Sequence, residues 1–244
     1  MKKIIFFGSS TEFSPLVLQK LVDSDQLSVI SVVTTEDKPV GRHLVMTSNP
    51  VKVLAQKLNI PVYDNIKDFL MTTNDYSMTI GIIAAYGKII GPKTLSRFNG
   101  QIYGIHPSLL PKYRGPSPLQ QQILDGITDI GVTIFKIDLG EDTGPIVATV
   151  PDKILPTDNK ITLGERLFSK GADLIISNIQ DLTSKISEPQ NNNEATHTHK
   201  FTKQDGFIPW DLRSNIQDLR TKQRAFYPWP GVWTINPKGE RLKL

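Results

Sequence analysis

The chain has 244 residues, of which 39% are hydrophobic and 21% charged; it can bury a core, which excludes disorder along its whole length. Its 28 Lys+Arg against 24 Asp+Glu give a formal charge of +4, and the surplus is local: residues 200–244 hold nine basic and four acidic side chains, residues 1–199 nineteen and twenty. There is no cysteine, which excludes a disulfide framework, a cysteine nucleophile and a thiolate metal site. No apolar run reaches the roughly 18 residues of a membrane span, and MKKIIFFGSS (1–10) lacks the apolar stretch and cleavage site of a signal peptide. A cytoplasmic protein is expected, with one large domain and a small appendage.

In chain order, residues 2–7 form a short β-branched and aromatic run ending at Gly8, as a buried parallel strand should. Ser14 and Pro15 predict a helix start, Ser as N-cap and Pro at the first position. A strand follows over 27–35, and Asn49-Pro50 repeats the start signal before Val51, Val53, Leu54 and Leu58. Strands are expected over 61–63, 78–84 and 101–106. This alternation predicts a Rossmann-like, doubly wound and mostly parallel α/β sheet with helices on both faces. Residues 131–137 and 146–150 follow with little helix between them and predict antiparallel additions at one edge. Thr162 and Glu165 have capping-box spacing before a long helix. The polar stretch SEPQNNNEATHTHK (187–200) reads as a surface linker. Residues 209–226 look helical, and YPWPG (227–231) reads as a rigid turn into a final strand. The expected division is a catalytic domain over 1–186, a linker over 187–208 and a C-terminal segment over 209–244.

Chemistry should sit beyond the carboxyl ends of the strands, where strand order reverses. Gly8-Ser-Ser-Thr11 is not the G-x-G-x-x-G dinucleotide fingerprint. The strand over 101–106 is more informative. It delivers His106 into PSLLPKYRG (107–115), whose prolines and leucines make a stiff loop that would hold the imidazole in place. LGEDTG (139–144) is a glycine-flanked loop that projects Asp142. Alone it is a turn with an Asx bond; if it meets His106, the pair can do general acid–base work. His197 and His199 sit in the polar stretch and read as solvated, so no metal site is expected. The basic excess after residue 200 is either a solvated tail or a surface for an anionic partner such as RNA.

HPSLLPKYRGPSP (106–118), followed by GVTIFKIDLGEDTG (131–144), resembles the formyltransferase superfamily that uses 10-formyltetrahydrofolate. Within it, three stretches are similar to the members that act on methionyl-tRNA: DKPVGR (37–42) with NPVKVLA (49–55), AAYG (84–87), and RAFYPWPG (224–231). The resemblance implies transfer of a formyl group from 10-formyltetrahydrofolate, as co-substrate, to the α-amine of methionyl initiator tRNA. His106 would stabilise the oxyanion, and Asp142 would orient the imidazole and help remove the amine proton. Ala84, Ala85, Tyr86, Gly87 and Ser108, Leu109, Leu110, Pro111 would line the folate site. Arg42 would lie in a loop that engages the tRNA. No metal and no membrane are implied, and a monomer is expected.

Three departures from the family pattern stand out. Gly104 occupies the position of the family's catalytic Asn, two residues before His106 and on the same strand face. Loss of one oxyanion donor typically costs about 10²–10³ in rate, so a slow enzyme is expected, with water filling part of the gap and a Gly104→Asn variant gaining at least tenfold. After Arg42 the loop runs His43-Leu-Val-Met-Thr47 where the family favours basic residues. Of the family's usual OB-type C-terminal domain, only a first strand fits before Leu244. Two further readings stay open: a sugar-nucleotide N-formyltransferase, and a catalytically silent folate- or tRNA-binding protein.

Overall fold

A computed structural model describes residues 1–244 except 41–43, 73–75, 183, 185–186 and 215. Its elements run β1 (Lys2–Gly8), α1 (Ser14–Val22), β2 (Leu27–Val33), β3 (Lys38–Val40), β4 (Val45–Thr47), α2 (Pro50–Lys57), β5 (Val62–Tyr63), α3 (Ile66–Thr72), β6 (Ile80–Ala84), α4 (Pro92–Arg97) and β7 (Ile102–His106). They continue with α5 (Pro118–Leu124), β8 (Asp129–Lys136), β9 (Ile146–Lys153), α6 (Lys160–Asn178), α7 (Ile216–Phe226), β10 (Trp233–Ile235) and β11 (Arg241–Lys243). Seven strands form one sheet in the order β5-β2-β1-β6-β7-β8-β9. The first five are mutually parallel; β8 and β9 are antiparallel additions at one edge, as the sequence predicts.

Alternation along β1 explains the layers. Ile4 and Phe6 point into a large core shared with α1, α2, α5, α6 and α7, while Ile5 and Phe7 point into a smaller one with Phe69, Tyr76, Ile90 and Phe98. Both faces of β1 are therefore buried, so its sequence is a continuous apolar run rather than an alternating one.

Helix starts differ in detail from expectation. Asn49 caps α2, accepting from the Val51 N–H at 2.8 Å, with Pro50 first in the helix. On α1 the capping residue is Phe13 and Ser14 already lies inside the helix. Its hydroxyl donates to the Ala84 carbonyl at 2.7 Å instead, because β6 ends beside it. The capping box of α6 is Asn159 with Thr162, three residues earlier than Thr162 with Glu165, because the helix begins at Lys160. Residues 210–214 form a 3-10 turn before α7, so the helical stretch expected over 209–226 is divided.

The chain leaves β1 toward β2 on one side and enters β6 on the other. The resulting crevice lies between the ends of β1 and β6. Its lips are tied: Ser9 and Ser10 N–H both donate to the Ala85 carbonyl, at 3.3 and 3.1 Å, and Gly87 N–H donates to Ser9 Oγ at 3.0 Å. The edge strands extend this crevice past His106.

Candidate active site

A cavity of about 370 Å³ opens at this crevice. His106 is the last residue of β7, 5% exposed, and its ring is fixed at both nitrogens. Nε2 lies 2.9 Å from the Tyr113 carbonyl, and Nδ1 lies 3.5 Å from Asp142 Oδ2. A carbonyl only accepts, so Nε2 carries hydrogen. Any second proton belongs at Nδ1, between the ring and the Asp142 carboxylate. That nitrogen can hold a proton and hand it on, which is what general acid–base chemistry requires.

Asp142 reaches this position because its loop is held from three directions. Its backbone adopts φ +54°, a left-handed conformation that Asp tolerates better than most residues. Its Oδ2 accepts from the Gly115 N–H at 2.8 Å. Gly115 has φ +104°, and a Cβ there would stand 2.9 Å from the Thr198 carbonyl oxygen, so glycine is required. From the third side, Gln190 Nε2 donates to the Asp142 and Gly144 carbonyls at 2.8 and 2.7 Å. Gln190 Oε1 in turn accepts from Nε and Nη2 of Arg114, a guanidinium 3% exposed, at 3.0 and 2.8 Å.

The loop after His106 is braced from beneath. Thr133 Oγ1 donates to the Ser108 carbonyl at 2.7 Å and accepts from Leu110 N–H at 3.1 Å. Gln122 Nε2 donates to the Pro107 carbonyl at 2.8 Å, and Ser108 Oγ donates to the Lys112 carbonyl at 2.7 Å. Ala85, Tyr86 and Gly87 line the cavity together with Gly104, His106, Phe135, Ile137 and Asp142. Ala84, Ser108, Leu109, Leu110 and Pro111 stand outside that lining. Arg42 and His43 lie outside the described residues. Burial pushes the Tyr86 hydroxyl up to about 12, so it is a neutral donor at physiological pH.

Gly104 lines the cavity, and apolar side chains stand where its own side chain would begin. It pairs with Phe135 across the β7–β8 ladder, and a Cβ at 104 would stand 2.6 Å from Phe135 Cε1 and 2.9 Å from Ile137 Cδ1. Both side chains fold over the glycine, as aromatic residues do opposite a strand glycine. Thr133, Gln122, Arg114, Gln190 and Phe135 were not legible as site residues. Each acts through a partner distant in sequence, and only the Gly104 vacancy hinted that something must cover it.

The polar stretch 187–200 runs along this domain. Arg114 N–H donates to the Thr196 carbonyl at 2.9 Å, Thr198 N–H donates to the Arg114 carbonyl at 2.7 Å, and Glu188 pairs with Ile146 in both directions at 2.8 Å. The side chains of Gln190, Thr196 and Thr198 bond backbone groups of the 113–117 and 142–144 loops, and Asn192 Oδ1 accepts from Arg114 Nη2 at 2.9 Å.

Fold and site together define a doubly wound α/β protein with His106 and Asp142 side by side on the wall of a cavity at the carboxyl ends of its parallel strands. A family model described as formyl transferase matches residues 2–179. Methionyl-tRNA formyltransferases of Caldicellulosiruptor saccharolyticus and Chloroflexus aurantiacus are 36% and 37% identical, each over 99% of this chain and 78% of the relative. The chain belongs to the formyl transferase family. Its fold is also that of the N-formyltransferase from Helicobacter canadensis, solved with folinic acid and dTDP-3-aminofucose (TM-score 0.66, 20% identity, 98% of this chain and 85% of that one).

Proposed function

We propose that the protein transfers the formyl group of 10-formyltetrahydrofolate to the α-amine of methionyl initiator tRNA. The observation that carries this reading is the convergence of His106 Nδ1 and Asp142 Oδ2, 3.5 Å apart, on the wall of one cavity of about 370 Å³. That volume falls within the range of small-molecule sites. Tyr86 and Ile137 offer apolar faces to a flat heterocycle, with the backbone of 85–87 at its edge, so the residues present fit a pterin. The folate supplies an activated formyl group; the chain's own residues do the rest.

The amine must arrive neutral at the formyl carbon. As the new C–N bond forms, the formyl oxygen gathers charge that a proton on His106 Nδ1 stabilises. Asp142, beside that nitrogen, takes up the proton the amine sheds. Breaking the bond to the folate nitrogen then returns one proton to the leaving nitrogen, so the balance closes on amide and tetrahydrofolate. Tyr113 keeps the ring from turning, because its carbonyl engages the opposite nitrogen at 2.9 Å. The similarity to methionyl-tRNA formyltransferases along 99% of this chain supports the choice of acceptor, as does the basic excess after residue 200.

The test is incubation with 10-formyltetrahydrofolate and charged methionyl-tRNA, beside an amino-sugar nucleotide. Formyl-methionyl-tRNA is expected, with an Asp142→Asn variant slower by about 10²–10⁴-fold. Transfer to the sugar nucleotide alone overturns the acceptor, and folate binding without transfer to either reduces the protein to a binder.

A further inference from the structure

The cavity has a second polar group that this chemistry does not use. Glu12 and Lys160 line the same cavity, just before α1 and at the first residue of α6. Lys160 Nζ lies 4.0 Å from Glu12 Oε1, and the two side chains are 16% and 31% exposed. At that separation the pair attracts but forms no hydrogen bond. Among the described residues the ammonium has no hydrogen-bond acceptor, although most of its side chain is out of water. The ammonium lies 5.8 Å from the centre of the Phe13 ring, and its three N–H donors stay open to an oxygen that enters the cavity.

The carboxylate is prepared for a matching role. Ser10 Oγ donates to Glu12 Oε2 at 3.1 Å, which leaves Oε1 to face the lysine. Ser10 is itself held through Ser14 to the end of β6, so the carboxylate is anchored to the sheet rather than free on the surface. Burial pushes the Glu12 carboxyl up, but the hydroxyls of Thr11 and Ser10 and the Lys160 charge bring it below its ordinary value, and it is an acceptor at neutral pH.

We propose that Glu12 and Lys160 form a hydroxyl-binding clip that selects the acceptor by a sugar hydroxyl beside the reacting amine. A hydroxyl accepts and donates at once. Set about 2.8 Å from each partner, one such oxygen spans the 4.0 Å gap, accepting from the ammonium and donating to the carboxylate. A phosphate would meet Glu12 as a like charge, and an apolar group would leave both partners unsatisfied. The clip rests on the proposed function for its placement: with the folate at the Tyr86 end, the acceptor enters from this side. The hydroxyl is then the 2′-OH of a terminal ribose whose 3′-oxygen carries the aminoacyl ester, or a ring hydroxyl of an amino sugar.

Formyl transfer to methionyl-tRNA ending in adenosine and in 2′-deoxyadenosine separates these outcomes. The unmodified protein is expected to lose about 10–100-fold in kcat/KM with the deoxy acceptor, the range for a hydrogen bond to a charged group. Glu12→Gln and Lys160→Met are each expected to slow the ribose acceptor by a similar factor, to erase the discrimination and to leave folate affinity unchanged. A deoxy effect seen only with amino-sugar nucleotides assigns the hydroxyl to the sugar ring and removes the tRNA acceptor. Discrimination that survives both substitutions, or an unmodified protein indifferent to the hydroxyl, overturns the clip. Binding of adenosine against 2′-deoxyadenosine, followed by NMR, tests the clip even if no formyl transfer occurs. At least tenfold weaker binding of the deoxynucleoside, abolished by Lys160→Met, sustains it; equal binding sinks it.

Discussion

His106 illustrates how a buried side chain acquires one chemical identity. Its Nε2 is committed to a backbone carbonyl, so exchange with substrate is confined to Nδ1, which faces Asp142. His106→Gln is therefore expected to lower kcat by about 10²–10⁴-fold while folate affinity, measured by fluorescence, stays near that of the parent. At Gly104 the packing revises the simple rescue. An Asn alone must displace the Phe135 ring, which is 3% exposed and has little room to turn. Gly104→Asn is expected to destabilise the fold by about 1–3 kcal/mol and to gain little activity. Gly104→Asn combined with Phe135→Met, whose flexible chain can yield, is expected to recover at least tenfold in kcat. Full rescue by the single substitution would show that the ring is not the obstacle. The glycine was legible as a departure in the sequence, but its covering was not. The β7–β8 register that sets Phe135 opposite Gly104 is a property of strand pairing, over a separation of 31 residues.

At the scale of elements, the carboxylate of Asp142 depends on a strap that carries no chemistry. Gln190 connects the buried Arg114 guanidinium to the Asp142 loop through one amide, its oxygen toward the cation and its nitrogen toward two carbonyls. Gln190→Glu keeps an acceptor for Arg114 but removes the N–H donors. It is expected to retain nearly the parent's melting temperature and to lose about 10–100-fold in kcat, the scale of a misplaced catalytic group. Gln190→Ala should in addition cost about 1–3 kcal/mol by leaving the buried Arg114 Nε–H without its acceptor. If Glu at 190 leaves kcat unchanged, the strap is structural only. The low-complexity character of 187–200 concealed this role. Polar side chains that satisfy backbone groups have no periodicity, and composition alone cannot distinguish them from solvated ones. The strands and helices of the main sheet, whose burial does impose periods of 2 and 3.6, were legible in order; the exposed hairpin β3–β4, with no buried face, was read as a loop.

Across the whole molecule, charge sets the acid limit of stability. Asp158 is 4% exposed; burial pushes its carboxyl up, but Arg166, bonded to it at 2.6 and 2.8 Å, and the Leu155 N–H hold it below its ordinary value. Asp152 is lowered in the same way, against its burial, by the Lys153 N–H, Lys170 and Arg166. Folded values below the unfolded value of about 3.9 mean that this stabilisation is complete above that pH and is lost as pH falls through the folded values. Arg166→Met is expected to cost about 2 kcal/mol at pH 7, with the gap to the parent closing as chemical denaturation is repeated below pH 3. A gap that stays constant with pH would assign the loss to packing rather than charge. The same network secures the start of α6, and hence Lys160, to the edge strand β9.

The sequence by itself determined the doubly wound sheet and the antiparallel edge, and it singled out a strand-end histidine and a loop aspartate as the residues to watch. Those features arise from local hydrophobic period and from motifs whose members lie close along the chain. Only the tertiary structure decided what surrounds them: the aromatic ring over Gly104, the glutamine strap behind Asp142, and the 4.0 Å gap between Glu12 and Lys160. Each is a contact between elements that fold independently in sequence and meet only when the apolar faces of the sheet and helices are buried together.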